Sequence, residues 1–269
     1  MVFYGLADVV YKRAATAGVK PHHFLMAQAW FFAPAVLIYA LASGQLHVVP
    51  AAAWGAGAGL CVFAGLYNFS RSLREGAVSV NAPIFRLNFT ITAALAVIVL
   101  GEPLGTFKIA GLAFALLATW LLLGGGGASG VTRGSLARVL IATGAFGIAN
   151  FCYKLGVMHG ATPATMVVSQ AAAFFPLATV FAYLAERKFN APAATWPYAA
   201  CAALLLAFAF MLMATSLVTG QASVLVPVAQ MGFVITAAAG ILLLGERTSA
   251  RKLAGLVAAV AALGCLALS

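Results

Sequence analysis

Two charged side chains lie inside stretches of the chain that are otherwise almost wholly apolar. Arg86 stands near the start of NAPIFRLNFTITAALAVIVLG, residues 81–101, and Asp8 lies in the first apolar stretch. A guanidinium presents a planar fork of donors that matches a carboxylate. We therefore predict that Arg86 binds an anionic group of a substrate and that Asp8 is the best candidate for ion coupling or for binding an amino group. The alternative is that the pair only pins two helices together.

The composition places these residues in a membrane. Hydrophobic residues make up 64% of the 269 residues and charged residues 7%, against about 25% charged residues in soluble domains. The net charge of +10 comes from basic residues scattered singly between apolar runs, a pattern that favours membrane lipid as a partner and excludes nucleic acid. The absence of Walker-type, GxSxG and HExxH motifs predicts that the protein is not an enzyme.

Ten stretches are long enough to cross a bilayer as helices, since about 20 apolar residues span the hydrocarbon core. Lipid also requires that backbone groups be hydrogen-bonded internally, which helices achieve. The predicted fold is all-α, a polytopic membrane protein with ten transmembrane helices at roughly residues 1–18, 22–44, 51–72, 77–100, 106–124, 136–157, 164–186, 194–216, 222–244 and 250–268. A glycine-rich linker, residues 124–135, separates a first half, residues 1–123, from a second half, residues 136–269.

The two halves repeat each other. With an offset of 142, ten of the thirty residues from 5 to 34 are identical, and with an offset of 144, sixteen of the thirty-seven from 76 to 112 are identical. The matches include Pro83 with Pro227 and Glu102 with Glu246. Because each half holds five spans, an odd number, the second half must enter the membrane from the opposite face. The sequence therefore predicts two inverted five-helix repeats that enclose a site near the membrane midplane.

The repeated segments carry a family resemblance. YGLADVVYK, VLVPVAQMGFVITAAAGILLLGERTSARKLAGLVAAVAALG and its first-half twin resemble the two EamA domains of the drug/metabolite transporter superfamily. The resemblance covers nearly the whole chain. It implies ten helices, export or exchange of small metabolites, no cofactor and no ATP hydrolysis. Only four residues precede Gly5, whereas about ten apolar residues precede its equivalent Gly147, so we expect either a truncated first helix or one that begins at the membrane surface.

The repeat suggests how Arg86 is partnered. Asp8 corresponds to Asn150, and Arg86 corresponds to Gln230. An acid and a base in the first half thus replace two amides in the second. We predict that spans 1 and 4 touch within each half, giving an Asp8–Arg86 ion pair and an Asn150–Gln230 hydrogen bond, because a buried pair is far less costly than a lone charge.

Further repeated residues are candidates for the same site. Gln28 and Gln170 lie near mid-span, where an amide facing lipid is costly. Tyr11 and Tyr153 could line the cavity, although an interfacial aromatic belt is the favoured interpretation. Four prolines at matched places remove helix hydrogen bonds and are predicted to mark kinks or hinges: Pro34, Pro83, Pro176 and Pro227.

Residues at the span ends receive structural roles. Glu102 and Glu246 are expected to cap or precede the next helix, and Lys154 to extend to the lipid headgroups or to reach a substrate. No metal site is predicted: the four cysteines lie singly in apolar runs, and the His22–His23 pair has no cysteine or carboxylate nearby in the sequence.

These observations predict a secondary carrier of the inner (plasma) membrane that exports or exchanges amino acids or related organic anions by alternating access. The alternatives are a lipid-handling or flippase-like protein and a drug efflux carrier. Twelve basic residues fall on the side of the odd-numbered loops and two on the other side, which predicts that both termini lie outside the cytoplasm; the family resemblance implies the reverse. One chain holds both halves, so a monomer suffices and a dimer is not required.

Overall fold

The computed structural model describes residues 1–75, 81, 84–123, 132–187, 191–232 and 250–269. Within these residues the secondary structure is helical and contains no strand. The helices are α1 (Val2–Thr16), α2 (Pro21–Ala42), α3 (Ala52–Glu75), α4 (Asn88–Leu100), α5 (Thr106–Leu123), α6 (Arg133–Met158), α7 (Pro163–Glu186), α8 (Thr195–Thr219), α9 (Ala222–Gln230) and α10 (Ala250–Ala267). Pro83 and most of the predicted linker lie outside the described residues.

Local sequence signals explain where several helices begin. Pro21 and Pro163, equivalent in the repeat, each stand in the first turn of α2 and α7, where a missing N–H costs nothing. Thr132 and Thr162 cap α6 and α7 by accepting hydrogen bonds from the backbone N–H groups of Ser135 and Thr165, which satisfies N–H groups that have no partner within the helix.

The surface of the bundle is that of a membrane protein. Five of the described helices, α2, α3, α6, α7 and α8, are long and apolar enough to cross a bilayer, and three shorter apolar helices accompany them. Large apolar side chains such as Ile98, Phe208 and Val257 are more than half exposed, as expected where lipid replaces water.

Equivalent helices run antiparallel, which shows the inverted repeat directly. The start of α2 meets the end of α7, with His22 Nε2 3.0 Å from Glu186 Oε1, and Trp30 and Phe175 meet farther along the same pair, 5.4 Å between ring centroids. In the same way, Arg251 at the start of α10 donates to the backbone oxygen of Trp120 near the end of α5. Helices related by a two-fold axis along the membrane normal would run parallel, so this axis lies in the membrane plane.

Contacts between the halves dominate the core. Helix α3 packs most extensively against α6 and α7, and glycines permit the closest approach to α7. A Cβ added at Gly59 would lie 2.4 Å from the backbone oxygen of Gln170, and one at Gly55 would lie 2.6 Å from that of Met166. Small residues four apart allow two backbones to meet in this way.

The fourth and ninth predicted spans each show a break in helical geometry, and the two breaks lie at equivalent positions. Residues 84–86 form a helical turn, Leu87 breaks it with φ −65° and ψ −1°, and α4 then begins. Helix α9 ends at Gln230, followed by Met231 with φ −69° and ψ 10°. Leu87 and Met231 are related by the offset of 144, so the backbone departs from helical geometry at the same position in both halves, immediately after Arg86 and Gln230.

Candidate functional site

Arg86 is buried between the halves and bound from both of them. Its guanidinium pairs with the Asp8 carboxylate on α1, and its Nη1 donates to Gln230 Oε1 at the end of α9, at 3.1 Å. The Arg86 side chain is 8% exposed, whereas that of Asp8 is 33% exposed. The predicted Asp8–Arg86 contact is therefore confirmed, and Asp8 is the more accessible member.

The contact between Arg86 and Gln230 joins two equivalent residues. A residue that touches its own repeat mate must lie on or beside the pseudo-two-fold axis. The helix interruptions at Leu87 and Met231 lie at the same place. Discontinuous helices that meet at the interface of two inverted repeats are the usual setting of a transporter's binding site.

Side chains hydrogen-bond to the backbone carbonyls beside this interruption. Thr143 Oγ1 donates to the backbone oxygen of Ile84 at 2.9 Å, and Asn88 Nδ2 donates to that of Phe85 at 2.7 Å. Unsatisfied carbonyls would be costly at this depth. Arg86 is thus held on a backbone turn that is fixed by neighbouring hydrogen bonds.

The predicted Asn150–Gln230 hydrogen bond is wrong. Asn150 Nδ2 instead donates to Asn88 Oδ1 on α4, at 3.2 Å. At the position equivalent to Asn88 stands Gly232, which packs so closely on α1 that a Cβ there would lie 2.8 Å from the Gly5 nitrogen. Because Gly232 has no amide to offer, Asp8 lacks the partner that Asn150 finds in Asn88 and pairs with Arg86.

A cavity of about 40 Å³ surrounds the charged pair. Asp8, Arg86 and Gln230 supply its polar lining, and the rest is largely aromatic and apolar: Tyr4, Ala7, Tyr11, Leu66, Phe69, Phe85, Phe146, Leu206 and Phe210. The aromatic rings pack against one another, with the centroids of Phe69 and Phe85 4.1 Å apart. This inner cavity thus combines one guanidinium–carboxylate pair with apolar walls.

Tyr11 separates the inner cavity from a larger vestibule. The vestibule has a volume of about 220 Å³ and lies at the basic face, which we define as the end of the bundle that holds Lys20 and Arg187. Tyr11 lines both spaces. Its hydroxyl donates to Gln28 Oε1 on α2, and this bond fixes the ring between the two spaces.

The equivalent tyrosine is packed in the interior. Tyr153 is fully buried, and its hydroxyl donates to Gln170 Oε1 at 2.5 Å. The expectation of an interfacial aromatic belt is therefore wrong for both tyrosines. Each hydroxyl instead donates a hydrogen bond, inside the bundle, to the glutamine seventeen residues farther along the chain. Gln28 and Gln170 orient the tyrosines and do not themselves line either cavity.

The opposite face, which holds Glu102 and Gly220, is held together by contacts of Glu102 across the halves and of Lys154 within the second half. Glu102 precedes the next helix, α5, as expected, but the helix that it caps is α9, where it accepts from the Ala222 and Ser223 backbone nitrogens at 2.9 and 3.0 Å. Lys154 donates to the Leu217 and Gly220 backbone oxygens at 3.1 and 2.7 Å. These carbonyls at the end of α8 hold the ammonium in the protein, so Lys154 does not extend to the headgroups.

The remaining predicted residues distribute as follows. Pro34, Pro176 and Pro227 lie inside α2, α7 and α9, so each removes a helix hydrogen bond as expected; the predicted hinge role stays a prediction. Sequence reasoning gave Asn88 no role at the site. The alignment of the two halves did distinguish this residue, since Asn88 aligns with Gly232 and the amide is therefore present in only one half.

Comparisons with known proteins agree with this architecture. The sequence matches the model of the EamA-like transporter family over residues 1–124 and 135–268. A crystal structure of a protein 14% identical in sequence superposes with a TM-score of 0.81, covering 99% of this chain and 95% of the other, which shows a shared fold. No curated protein matches the sequence.

Proposed function

This chain belongs to the EamA-like transporter family and is a membrane transporter, and we propose that it carries amino acids or related small organic anions as an exporter or exchanger. The observation that carries the proposal is the buried Arg86 guanidinium, which lies on the pseudo-two-fold axis and lines the inner cavity. A carboxylate is the ligand that a guanidinium fork binds best.

The partner of Arg86 supports an amphipathic substrate. Asp8 is a third exposed and shares the inner cavity, so it offers an acceptor for a substrate amino group once the substrate carboxylate occupies Arg86. The aromatic walls offer contact area to an apolar side chain. A cationic drug fits less well, because the only carboxylate among the lining residues is already paired with an arginine.

The two faces differ as alternating access requires. A cavity of about 40 Å³ has room for only a few water molecules, so a substrate enters only if the cavity widens. The vestibule approaches it from the basic face, with Tyr11 between them, whereas Glu102 and Lys154 tie the opposite face. Transport then consists of releasing one face as the other closes around the Arg86 site.

Asp8 is the residue we assign to coupling. It is the carboxylate nearest to the axis among the described residues, and substrate binding to Arg86 would release it from the ion pair. A freed carboxylate can take up a proton and carry it with the substrate. If Asp8 stays paired throughout, the protein is a facilitator or an exchanger.

Flux into proteoliposomes tests the proposal. Purified protein is reconstituted, and uptake of a labelled amino-acid and organic-acid panel is compared with transbilayer movement of a labelled phospholipid. We expect saturable flux of an anionic or zwitterionic member and a loss of about 100-fold or more in Arg86→Gln, since the lost charged hydrogen bonds are worth about 1.5–3 kcal/mol each. Arg251→Gln, whose guanidinium lies over Trp120 on the periphery, is the matched control and should retain flux.

Three outcomes would redirect the assignment. Phospholipid movement without metabolite flux would favour the lipid-handling function, and equal flux in wild type and Arg86→Gln would reduce the arginine to a structural role. Preferential flux of cationic drugs would indicate an efflux carrier.

We also assign the protein to the inner membrane, with the basic face toward the cytoplasm and both termini outside. A reporter that is active only in the cytoplasm, fused after Ser269, tests the orientation. Activity of that reporter would place the basic face outside.

A further inference from the structure

A second group of polar side chains lies on the basic face, away from the Arg86 cavity. His22 and His23 stand in the first turn of α2 in the first half, and Glu186 ends α7 in the second half, 164 residues from His22. One ligand atom from each residue lies within 4.8 Å of the others. The carboxylate that the sequence did not show near the two histidines is therefore supplied by the other half of the fold.

The buried histidine lacks a hydrogen-bond partner. His23 is 4% exposed, and its Nδ1 has no partner among the residues that the structure describes. Its Nε2 lies 3.2 Å from Glu186 Oε2 but outside hydrogen-bond geometry. A buried polar ring that makes no hydrogen bond is costly, and this ring is directed at a carboxylate beside a second imidazole. An ion bound between the imidazoles and the carboxylate would give the His23 ring a partner.

The spacing is slightly shorter than that of a tetrahedral metal site, so a small side-chain movement would admit an ion. Bonds of about 2.0–2.2 Å from zinc to nitrogen or oxygen place neighbouring ligand atoms about 3.3–3.6 Å apart. His22 Nε2 lies 3.0 Å from Glu186 Oε1 and His23 Nε2 lies 3.2 Å from Glu186 Oε2. Two imidazoles and one carboxylate select zinc-like ions over calcium or magnesium, which take oxygen ligands.

We propose that His22, His23 and Glu186 bind a divalent transition-metal ion such as Zn²⁺, which ties α2 to α7 at the basic face. Three protein ligands leave a fourth position for water. Ions can reach the site, because Glu186 and His22 retain 27% and 15% side-chain exposure. The ion would cross-link the two halves beside the vestibule, whose lining includes Lys20 and Pro21. The proposal does not depend on which substrate the protein carries.

The Lys20 ammonium competes with a metal ion for the Glu186 carboxylate. Its Nζ lies 2.5 Å from Glu186 Oε1, and its side chain is 53% exposed. The ammonium therefore pairs with one of the oxygens that the metal needs. Because the side chain is exposed, it can move into water when the metal binds. Removal of this cation should strengthen metal binding if the site is real, and should only weaken the cluster if the cluster is a plain ion-pair contact.

Calorimetric titration of the purified, detergent-solubilised full chain with ZnCl₂ tests the proposal. We expect one ion per chain, and affinity weakened by about tenfold or more in His22→Asn and in Glu186→Gln, in line with losses measured when metal sites are perturbed. Both residues are partly exposed, so these variants avoid the folding risk of replacing the buried His23. His159→Asn is the control, since that ring lies at the end of α6 and contacts the Leu155 backbone oxygen.

Lys20→Met supplies the discriminating result. We expect Zn²⁺ to bind this variant about two- to fivefold more tightly than wild type, because an exposed ion pair is worth little. Zn²⁺ should also raise the melting temperature of wild type and Lys20→Met but not of Glu186→Gln. Absence of binding by wild type, wild-type affinity in His22→Asn and Glu186→Gln, or loss of binding in His159→Asn would each overturn the proposal.

Discussion

In the first half the pseudo-two-fold axis carries an ion pair, Asp8 with Arg86, and in the second half the equivalent positions carry the amides Asn150 and Gln230. The backbone does not share this difference: Leu87 and Met231 both depart from the helical ψ of about −42°, with ψ of −1° and 10°. A feature present in both halves is needed to build the fold. A feature present in only one half is not needed for the fold, so it can serve the function of a single binding site.

The neighbours of the two pairs explain why only one half is charged. Asn150 is satisfied by Asn88, whereas the residue equivalent to Asn88 in the second half is Gly232, which has no side-chain amide to offer Asp8. Gln230, the equivalent of Arg86, accepts a hydrogen bond from Arg86 itself. Asp8, Arg86 and Gln230 therefore form one asymmetric group at the axis. We infer that the asymmetry fixes a single orientation for a substrate that has an anionic end and an apolar end.

The largest expected effect comes from breaking the charged pair. Asp8→Asn should destabilise the protein by about 2–3 kcal/mol, less than the 3–5 kcal/mol typical of a fully buried pair, because Asp8 is partly exposed. Arg86→Gln should cost somewhat less, since the carboxylate left behind can reach water. The double variant, which carries amides at both positions as the second half does, should return to within about 1 kcal/mol of wild type.

Denaturation of the four proteins in the same detergent measures this cycle, and flux measures its functional counterpart. The double variant should be stable and yet inactive toward anions. Additive destabilisation would show that the two charges do not stabilise each other. Wild-type flux in the stable double variant would assign the pair to helix packing alone.

The sequence predicted the ion pair but not its surroundings, for a physical reason. Alignment of the halves compares positions within one repeat and so identifies Asp8 as a partner for Arg86. It does not show which residues meet across the axis, and the contacts of Arg86 with Gln230 and of Asn150 with Asn88 are of that kind. Leucine and methionine form helices readily, so the interruptions at Leu87 and Met231 also had no local signal beyond the prolines four residues before them.

A second difference between the halves concerns how closely their helices approach. Gly59 on α3 meets the backbone of α7, whereas the equivalent contact of α8 with α2 is made by Ala199 and Ala202 beside Phe24. Gly59→Ala should destabilise the protein by about 2 kcal/mol, because its Cβ would lie 2.4 Å from a backbone oxygen that cannot move alone.

Gly57→Ala is the matched control for this prediction. No atom lies within 4 Å of a Cβ placed at that position, so the substitution should be neutral or stabilise the helix by up to about 1 kcal/mol. Thermal unfolding in detergent compares the two variants. Equal stabilities would show that α3 and α7 are less tightly packed than the structure has them.

The smallest expected effect sharpens the contrast between the two halves. Asn150→Ala removes the hydrogen bond to Asn88 and leaves a buried acceptor unpaired, which should cost about 1–2 kcal/mol of stability while anion flux remains near the wild-type rate. Asn68→Ala is the control, because Asn68 Nδ2 only donates to the Ala64 backbone oxygen on its own helix. A fall in flux with Asn150→Ala comparable to that with Arg86→Gln would mean that the amide half takes part in substrate binding, and the division between a charged functional half and an amide structural half would fail.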